Sequence, residues 1–539
     1  MEFSLFSASA VFPGALPHPV FIMTSLGPIF ADDLARVKPG DRLRLTISAQ
    51  TSDAAALAQA ALEARARGER VLVVCADPAD VPRLAQEMPW FEPKLDVRPL
   101  PDWETLPYDV LSPQEELVSE RLEALYRLTA PTGGADVLLT SAVTASQRLS
   151  PVSYIGANTF FFHQGEQISL TTLQKRLAAA GYANVKQVLA AGEFAVRGSI
   201  VDVFPMGSER PFRLDFFDDE IESIRWFDVD TQRSMESAEE IRLLPGHEFP
   251  VDPEALLAFR QRWRREFAGD PKKSIVYCDI EKEILPPGIE YYLPLFFDET
   301  AALTDYLPPN ARVFLLGDIE AALQAFGRDM ASRYKVLAAD PQRPALAPER
   351  IWLKPEEFFK SLANFARFTV EKKENAEDLK RLSGIEVDRK SQNPVGKLLE
   401  RTCESAMKGV RTLIAAPSAG RMETMSQLLR TGGLSVEEFP DWQTFLEADS
   451  SLSIAAAPLF SGAVFHHPEI VILSEAELYA ASPRRHRLRR VKHATTLEMM
   501  VRDVAELKPG DAVVHADHGI GRYQGLVHME TPDGDAEFL

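Results

Sequence analysis

The chain has 539 residues, 45% hydrophobic and 26% charged, with a net charge of −20. That length implies about three to five soluble domains, and so acidic a balance excludes a general nucleic-acid binder, whose phosphate contacts need clustered cations. Three widely spaced cysteines, Cys75, Cys278 and Cys403, exclude a zinc ribbon and argue against a disulfide framework, so a reducing cytoplasm is expected. Residues 1–34 are mildly apolar but begin Met1-Glu-Phe-Ser, without the basic start of a signal peptide. A disordered leader is expected there, and Met23 could be the native start.

Residues 35–155 alternate strand and helix. Arg42–Ile47 reads as a buried strand, Ser48–Asp53 as a turn, and Ala54–Arg67 as an Ala-rich helix closed by Gly68. This is the setting of a phosphate-binding loop, yet the turn has no glycine to admit phosphate and no lysine to hold it. An ordinary helix start capped by Ser52 or Asp53 is expected instead. Arg70–Cys75 is apolar on both faces, as a parallel sheet requires. A helix over Gln114–Arg127 and a strand over Asp136–Thr140 complete an α/β layer.

Residues 156–245 change character. A helix over Thr171–Ala180 is followed by β-rich pieces at Gly192–Phe204, Phe212–Phe217 and Glu220–Phe227, a small inserted α+β module. Alternation along a strand puts Phe212, Leu214 and Phe216 on one face and Arg213, Asp215 and Phe217 on the other. An exposed Phe beside an Arg is the composition of an interface, against the plain alternative of a Phe packed under a loop. Arg197 lies on the preceding strand and joins the same patch.

Residues 246–372 return to the α/β pattern, with Val313–Gly317 a buried strand. Residues 373–408 read as a charged linker and helix, and 409–480 as a small α/β domain with strands Thr412–Ala416 and Ile470–Leu473. Gly396-Lys397 lacks the rest of a phosphate loop. His466-His467 has no third ligand nearby, and Glu475 with Glu477 reads as a solvated strand end. Residues 481–504 form a basic linker around Arg484–Lys492, with local contact to nucleic acid the alternative to a solvated segment. Residues 505–539 begin a glycine-punctuated β-barrel. No Cys–His or Ser–His–Asp spacing marks a nucleophile, so no catalytic site and no metal site are expected.

Five segments together resemble the bacterial transcription-repair coupling factors: Asp102–Asp109, Gly192–Gly198, Phe204–Ser208, Arg213–Glu220 and Gly510–Tyr523. The resemblance runs from about residue 35 to 539 and implies the N-terminal half of such a protein. It implies a degenerate P-loop (RecA-like) α/β domain carrying the inserted module, a second small α/β domain, and the start of a Tudor/SH3-like β-barrel. It further implies transcription-coupled repair: recruitment of UvrA to RNA polymerase stalled at lesions, while a motor absent here translocates on double-stranded DNA with ATP and Mg. Arg197, Arg213 and Phe217 fall where the family contacts UvrA, and Met529 where it contacts the polymerase β subunit. This segment should then be no enzyme and need no cofactor, and should be a cytoplasmic monomer with no membrane partner. A UvrB-type excision-repair helicase and a CarD-like polymerase-binding regulator are the alternatives.

Overall fold

The computed structural model describes residues 36–48, 52–130, 134–373, 375–388, 391, 393–466 and 468–479, together with the backbone of four strands beyond 511. The expected leader 1–34 and basic linker 481–504 lie outside the described residues. The chain divides into two compact units, Met1–Ala481 and Ser482–Leu539.

The first unit opens with β1 (Arg42–Ser48), α1 (Ser52–Ala66), β2 (Val71–Cys75), α2 (Asp80–Phe91), β3 (Val97–Pro99), α3 (Glu115–Thr129) and β4 (Val137–Ser141). The inserted module supplies β5 (Phe160–His163), β6 (Ala183–Asn184), β7 (Glu193–Arg197), β8 (Ile200–Val203), β9 (Phe212–Phe217), β10 (Glu220–Phe227), β11 (Ser234–Ala238) and β12 (Glu240–Leu243). Two later strands, β13 (Arg312–Leu316) and β14 (Ala366–Lys373), return to the first sheet, giving the all-parallel order β1-β14-β13-β2-β4-β3.

Both faces of this sheet are covered. Leu72, Val74, Val313 and Leu315 point into one core; Val71, Val73, Phe314 and Leu316 point into another. That is why β2, β4 and β13 are buried at every position. The helix after β2 lies on the second face, through Leu84 and Met88, and the helix after β13 on the first, through Ile319 and Leu323. The winding therefore reverses between neighbouring strands, and a crevice of about 750 Å³ opens at their carboxyl ends.

The helix α1 is buried nearly all round by seven alanines and Leu57. Gly68, at φ 70°, turns the chain out of it, as the sequence predicts. The reason for the alanines is a second sheet. β15 (Arg411–Ala416), β16 (Glu437–Phe439), β17 (Leu452–Ala456), β18 (Ala463–His466) and β19 (Glu469–Ser474) form a five-stranded sheet in the order β16-β17-β15-β19-β18. Its residues Leu413, Ala455 and Ile472 share one core with α1 and α2. A helix that is apolar on every side fits between two sheets and nowhere on a surface.

The segment 373–408, expected as a charged linker and helix, does carry a helix at Gly396–Met407 but is part of this second domain. Leu382, Ile385, Val395 and Leu398 are buried against the other face of its sheet, because their spacing leaves an apolar stripe that the surrounding charges conceal. Glu475 and Glu477, expected as a solvated strand end, belong to a short helix capped reciprocally by Ser474 and Glu477. His466 lies 3.2 Å from Asp378; His467 is outside the described residues.

The stretch between the module and β13 is mainly an aromatic helical lobe. Trp263, Tyr277, Phe259 and Tyr292 make its core, and Trp103 enters from the Asp102–Asp109 segment. In the second unit, β20 (Ala512–His515) pairs with β21 (Gly519–Arg522), and β22 (Val527–Thr531) with β23 (Gly534–Phe538), all antiparallel. Among the described residues no helix is long and apolar enough to cross a membrane.

Candidate partner-binding face

The module's six-stranded sheet, in the order β11-β10-β9-β8-β7-β6, has one covered face and one open face. β5 pairs with β12, which brings the entry and exit of the insertion together. On β9 the burial alternates as the sequence predicts: Phe212, Leu214 and Phe216 are buried, and Phe217 is 68% exposed. Beneath the covered face Phe212 stacks on Trp226 with centroids 3.9 Å apart.

The open face carries the charged residues, and their arrangement is more constrained than strand alternation alone shows. Asp202 on β8 is only 1% exposed. Arg213 grips it through Nε at 2.7 Å and Nη2 at 3.0 Å. Arg213 Nη1 donates to the Gln232 carbonyl at 3.1 Å and the Ser234 hydroxyl at 3.2 Å, and the guanidinium lies 5.0 Å from the Phe227 ring centroid. The hydrogen bond to Asp202 holds the Arg213 pKa above its ordinary value, against the effect of burial. Arg197 reaches the same carboxylate at 3.3 Å but leaves about half its side chain in solvent. Gln232, held in the left-handed region at φ 57°, also accepts from Arg197.

Arg197, Arg213 and Phe217 thus meet on one face, as expected, but Arg213 is no free side chain. Its removal would strand a buried carboxylate, so it contributes to stability as well as to the face. The sequence carried one overlooked signal: Asp202 is the lone charge in the apolar run Ile200-Val-Asp-Val203, and a buried charge requires a partner.

A second polar cluster lies at the start of α1. The turn at 49–51 is outside the described residues, but Asp53 in the first turn is fully buried. Its carboxylate accepts from Arg83 at 2.8 and 2.5 Å and pairs with Lys372 at 2.8 Å. Burial alone would raise this carboxyl, but the charges and hydrogen bonds of Arg83 and Lys372 outweigh it and hold the pKa below the usual range. Asp80 joins through both cations. Glu87, also fully buried, accepts from Arg83 at 2.6 Å and from the Phe460 amide of the second domain at 3.0 Å. The cluster ties the two domains together at one edge of the crevice.

With this geometry established, the comparisons with known proteins fall into place. The UvrB interaction domain model matches residues 160–249, the span closed by β5 and β12. The MFD D3 domain model matches 406–478, and the CarD-like/TRCF RID domain model 507–539. The transcription-repair-coupling factor of Haemophilus influenzae is 37% identical over 455 residues, 82% of this chain and 39% of that protein. That of Escherichia coli is 36% identical over 479 residues, 87% of this chain and 41% of that protein. That of Bacillus subtilis is 25% identical over 467 residues, 79% of this chain and 37% of that protein.

The chain belongs to the transcription-repair-coupling factor family.

It spans about two fifths of the length of the curated relatives it matches. Within that family portion, the Asp102–Asp109 motif has a structural role. Trp103 is buried, Tyr108 donates to the Leu346 carbonyl at 2.9 Å, and Thr105 meets the Tyr291 hydroxyl at 2.7 Å. The D3 match begins ten or more residues after Leu382, Ile385 and Val395, which complete that domain's core. Met529 lies on β22 opposite Ala536 within the matched RID segment.

Proposed function

We propose that this chain acts in transcription-coupled DNA repair as the recruiting part of a coupling factor. On this reading the 160–249 module binds UvrA through Arg197, Arg213 and Phe217, and residues 505–539 begin the region that meets the RNA polymerase β subunit, with Met529 at the contact. The observation that carries the reading is the UvrB-interaction match on a module whose open face presents these three residues together. ATP-driven movement on double-stranded DNA falls, on the same reading, to the part of the relatives that this chain does not span, and the chain itself works as a cytoplasmic monomer.

The reading assigns no nucleotide chemistry to this segment. The parallel sheet is consistent with a RecA-like ancestry, and the hairpins of the second unit with the start of a Tudor-like barrel. The turn after β1 lacks glycine and lysine. Asp53 in the first turn of α1 engages Arg83 and Lys372, so neither cation is left to hold a phosphate there. Calorimetric titration with MgATP should give no saturable heat. Saturable binding abolished by Lys372→Ala would overturn this assignment.

Phe217→Ala should weaken UvrA binding by about 1–3 kcal/mol, a loss of roughly 5- to 150-fold, without lowering the melting temperature. Arg213→Ala should lower both, because it strands Asp202. Isothermal titration against UvrA, paired with thermal unfolding of each variant, separates the two residues. If Phe217→Ala leaves UvrA affinity intact, the assignment of this face fails.

A further inference from the structure

The register across the module sheet sets one row of residues on its open face. Ala195 opposes Asp202, Asp202 opposes Arg213, Arg213 opposes Arg225, and Arg225 opposes Ser237. Directly opposed side chains of antiparallel strands project from the same face with Cβ atoms about 5 Å apart. The row therefore puts two arginines side by side. Their circumstances differ. Arg213 is largely buried and all its guanidinium nitrogens are engaged by Asp202, Gln232 and Ser234. Arg225 is exposed, and among the described residues it makes no ion pair.

Like charges directly opposed across a sheet destabilise it. Asp202 is engaged by Arg213 and Arg197, and Asp215 also acts on Arg213, while Arg225 pairs with no carboxylate among the described residues. The charge of an exposed arginine opposed to another arginine gains no attraction from its cross-strand neighbour. Its position is accounted for by what it presents. Together with the half-exposed Arg197 and the exposed Phe217 it makes a mixed-charge face, with Asp215 between Arg213 and Phe217 and Glu220 directly opposite Phe217, while Arg213 holds the middle of the row rigid.

We propose that Arg225 is a contact residue for a carboxylate-bearing patch on the protein partner of this face, and that Arg213 is a positioning residue which fixes the row through Asp202. This rests on the UvrA-binding reading above, and it changes which arginine meets the partner. The guanidinium of Arg225 has its donors free for bidentate pairing with a carboxylate. The partner should accordingly offer an acidic side chain opposite Arg225 and an apolar recess for Phe217.

The test is titration of the 539-residue chain with purified UvrA at two salt concentrations, with a melting temperature for each variant. Arg225→Ala should weaken binding by about 5- to 30-fold at low salt, with less loss at high salt, where the wild-type attraction is itself screened. Arg225→Glu should weaken it further and Arg225→Lys should restore part of it, all with an unchanged melting temperature. Arg213→Lys should lower the melting temperature as well as the affinity, the mark of a positioning role. If Arg225→Ala and Arg225→Glu bind within twofold of wild type while Phe217→Ala does not, the proposal is overturned and the UvrA reading survives. If Phe217→Ala and Arg197→Ala also bind like wild type, both are overturned together.

Discussion

Arg83→Ala should lower the unfolding free energy by about 3–5 kcal/mol, the range expected when a buried charge loses its counter-ion. Arg83 is the only cation that touches Asp53, Asp80 and Glu87 at once among the described residues. Asp53 and Glu87 are fully buried, so neither can recover its loss from water. Lys372 would remain beside Asp53 and Asp80, which keeps the cost below that of an isolated charge. Glu87→Gln should cost far less, about 1 kcal/mol or under, for a separate reason. Burial raises the Glu87 pKa despite Arg83 and the Phe460 amide, and a neutral amide oxygen can still accept from that amide. Denaturant unfolding measures both variants. Hydrogen exchange adds a local readout: the Phe460 amide, protected by Glu87 across the two domains, should exchange faster in Arg83→Ala. If Arg83→Ala proves no worse than Glu87→Gln, the cluster is not what joins the domains.

Arg121→Ala should cost a similar amount, about 3–5 kcal/mol. Arg121 on α3 is completely buried and binds both carboxylate oxygens of Glu248, the Gln147 side chain and the Pro101 carbonyl. The guanidinium also lies 5.4 Å from the centroid of Trp103. Glu248 is the exit of the inserted module, and Pro101 and Trp103 begin the loop that packs into the aromatic lobe. One side chain thus fastens three parts of the first unit to the central layer. Truncation leaves Glu248 buried, with the Trp103 indole N–H donating to it at 3.4 Å. Since this junction also orients the module, a weakened first transition in chemical unfolding, together with loss of Trp fluorescence change at the same midpoint, is the expected signature. A loss of less than 1 kcal/mol would mean that the lobe and the module are held by apolar packing alone.

Much of the local architecture was legible in the sequence because it depends on short-range periodicity. The apolar runs within Arg70–Cys75 and Val313–Gly317 read as buried strands, and the strands Val71–Cys75 and Arg312–Leu316 are buried throughout. Alternation along Phe212–Phe217 placed Phe217 in solvent correctly, since the side-chain period of a strand is two. Gly68 ended its helix for the conformational reason the sequence suggested. The family, too, could be read from ordered motifs along one chain.

What the sequence could not supply were relations between residues far apart along it. Asp53 pairs with Arg83 and Lys372, 30 and 319 positions away, and nothing local in Ser48–Asp53 foretells that its aspartate meets two cations. The alanines of α1 looked like mere helix propensity until a second sheet was found on the far side. Segment 373–408 read as a linker because charge dominates its composition, while the few apolar residues that dock it matter only once a partner surface exists. At the candidate site the same division holds. The sequence determined which residues of β9 face outward. Only the cross-strand register decided that Arg213 would be bound to Asp202 and Arg225 left free, because pairing between strands is set by tertiary packing and not by the order of residues within either strand.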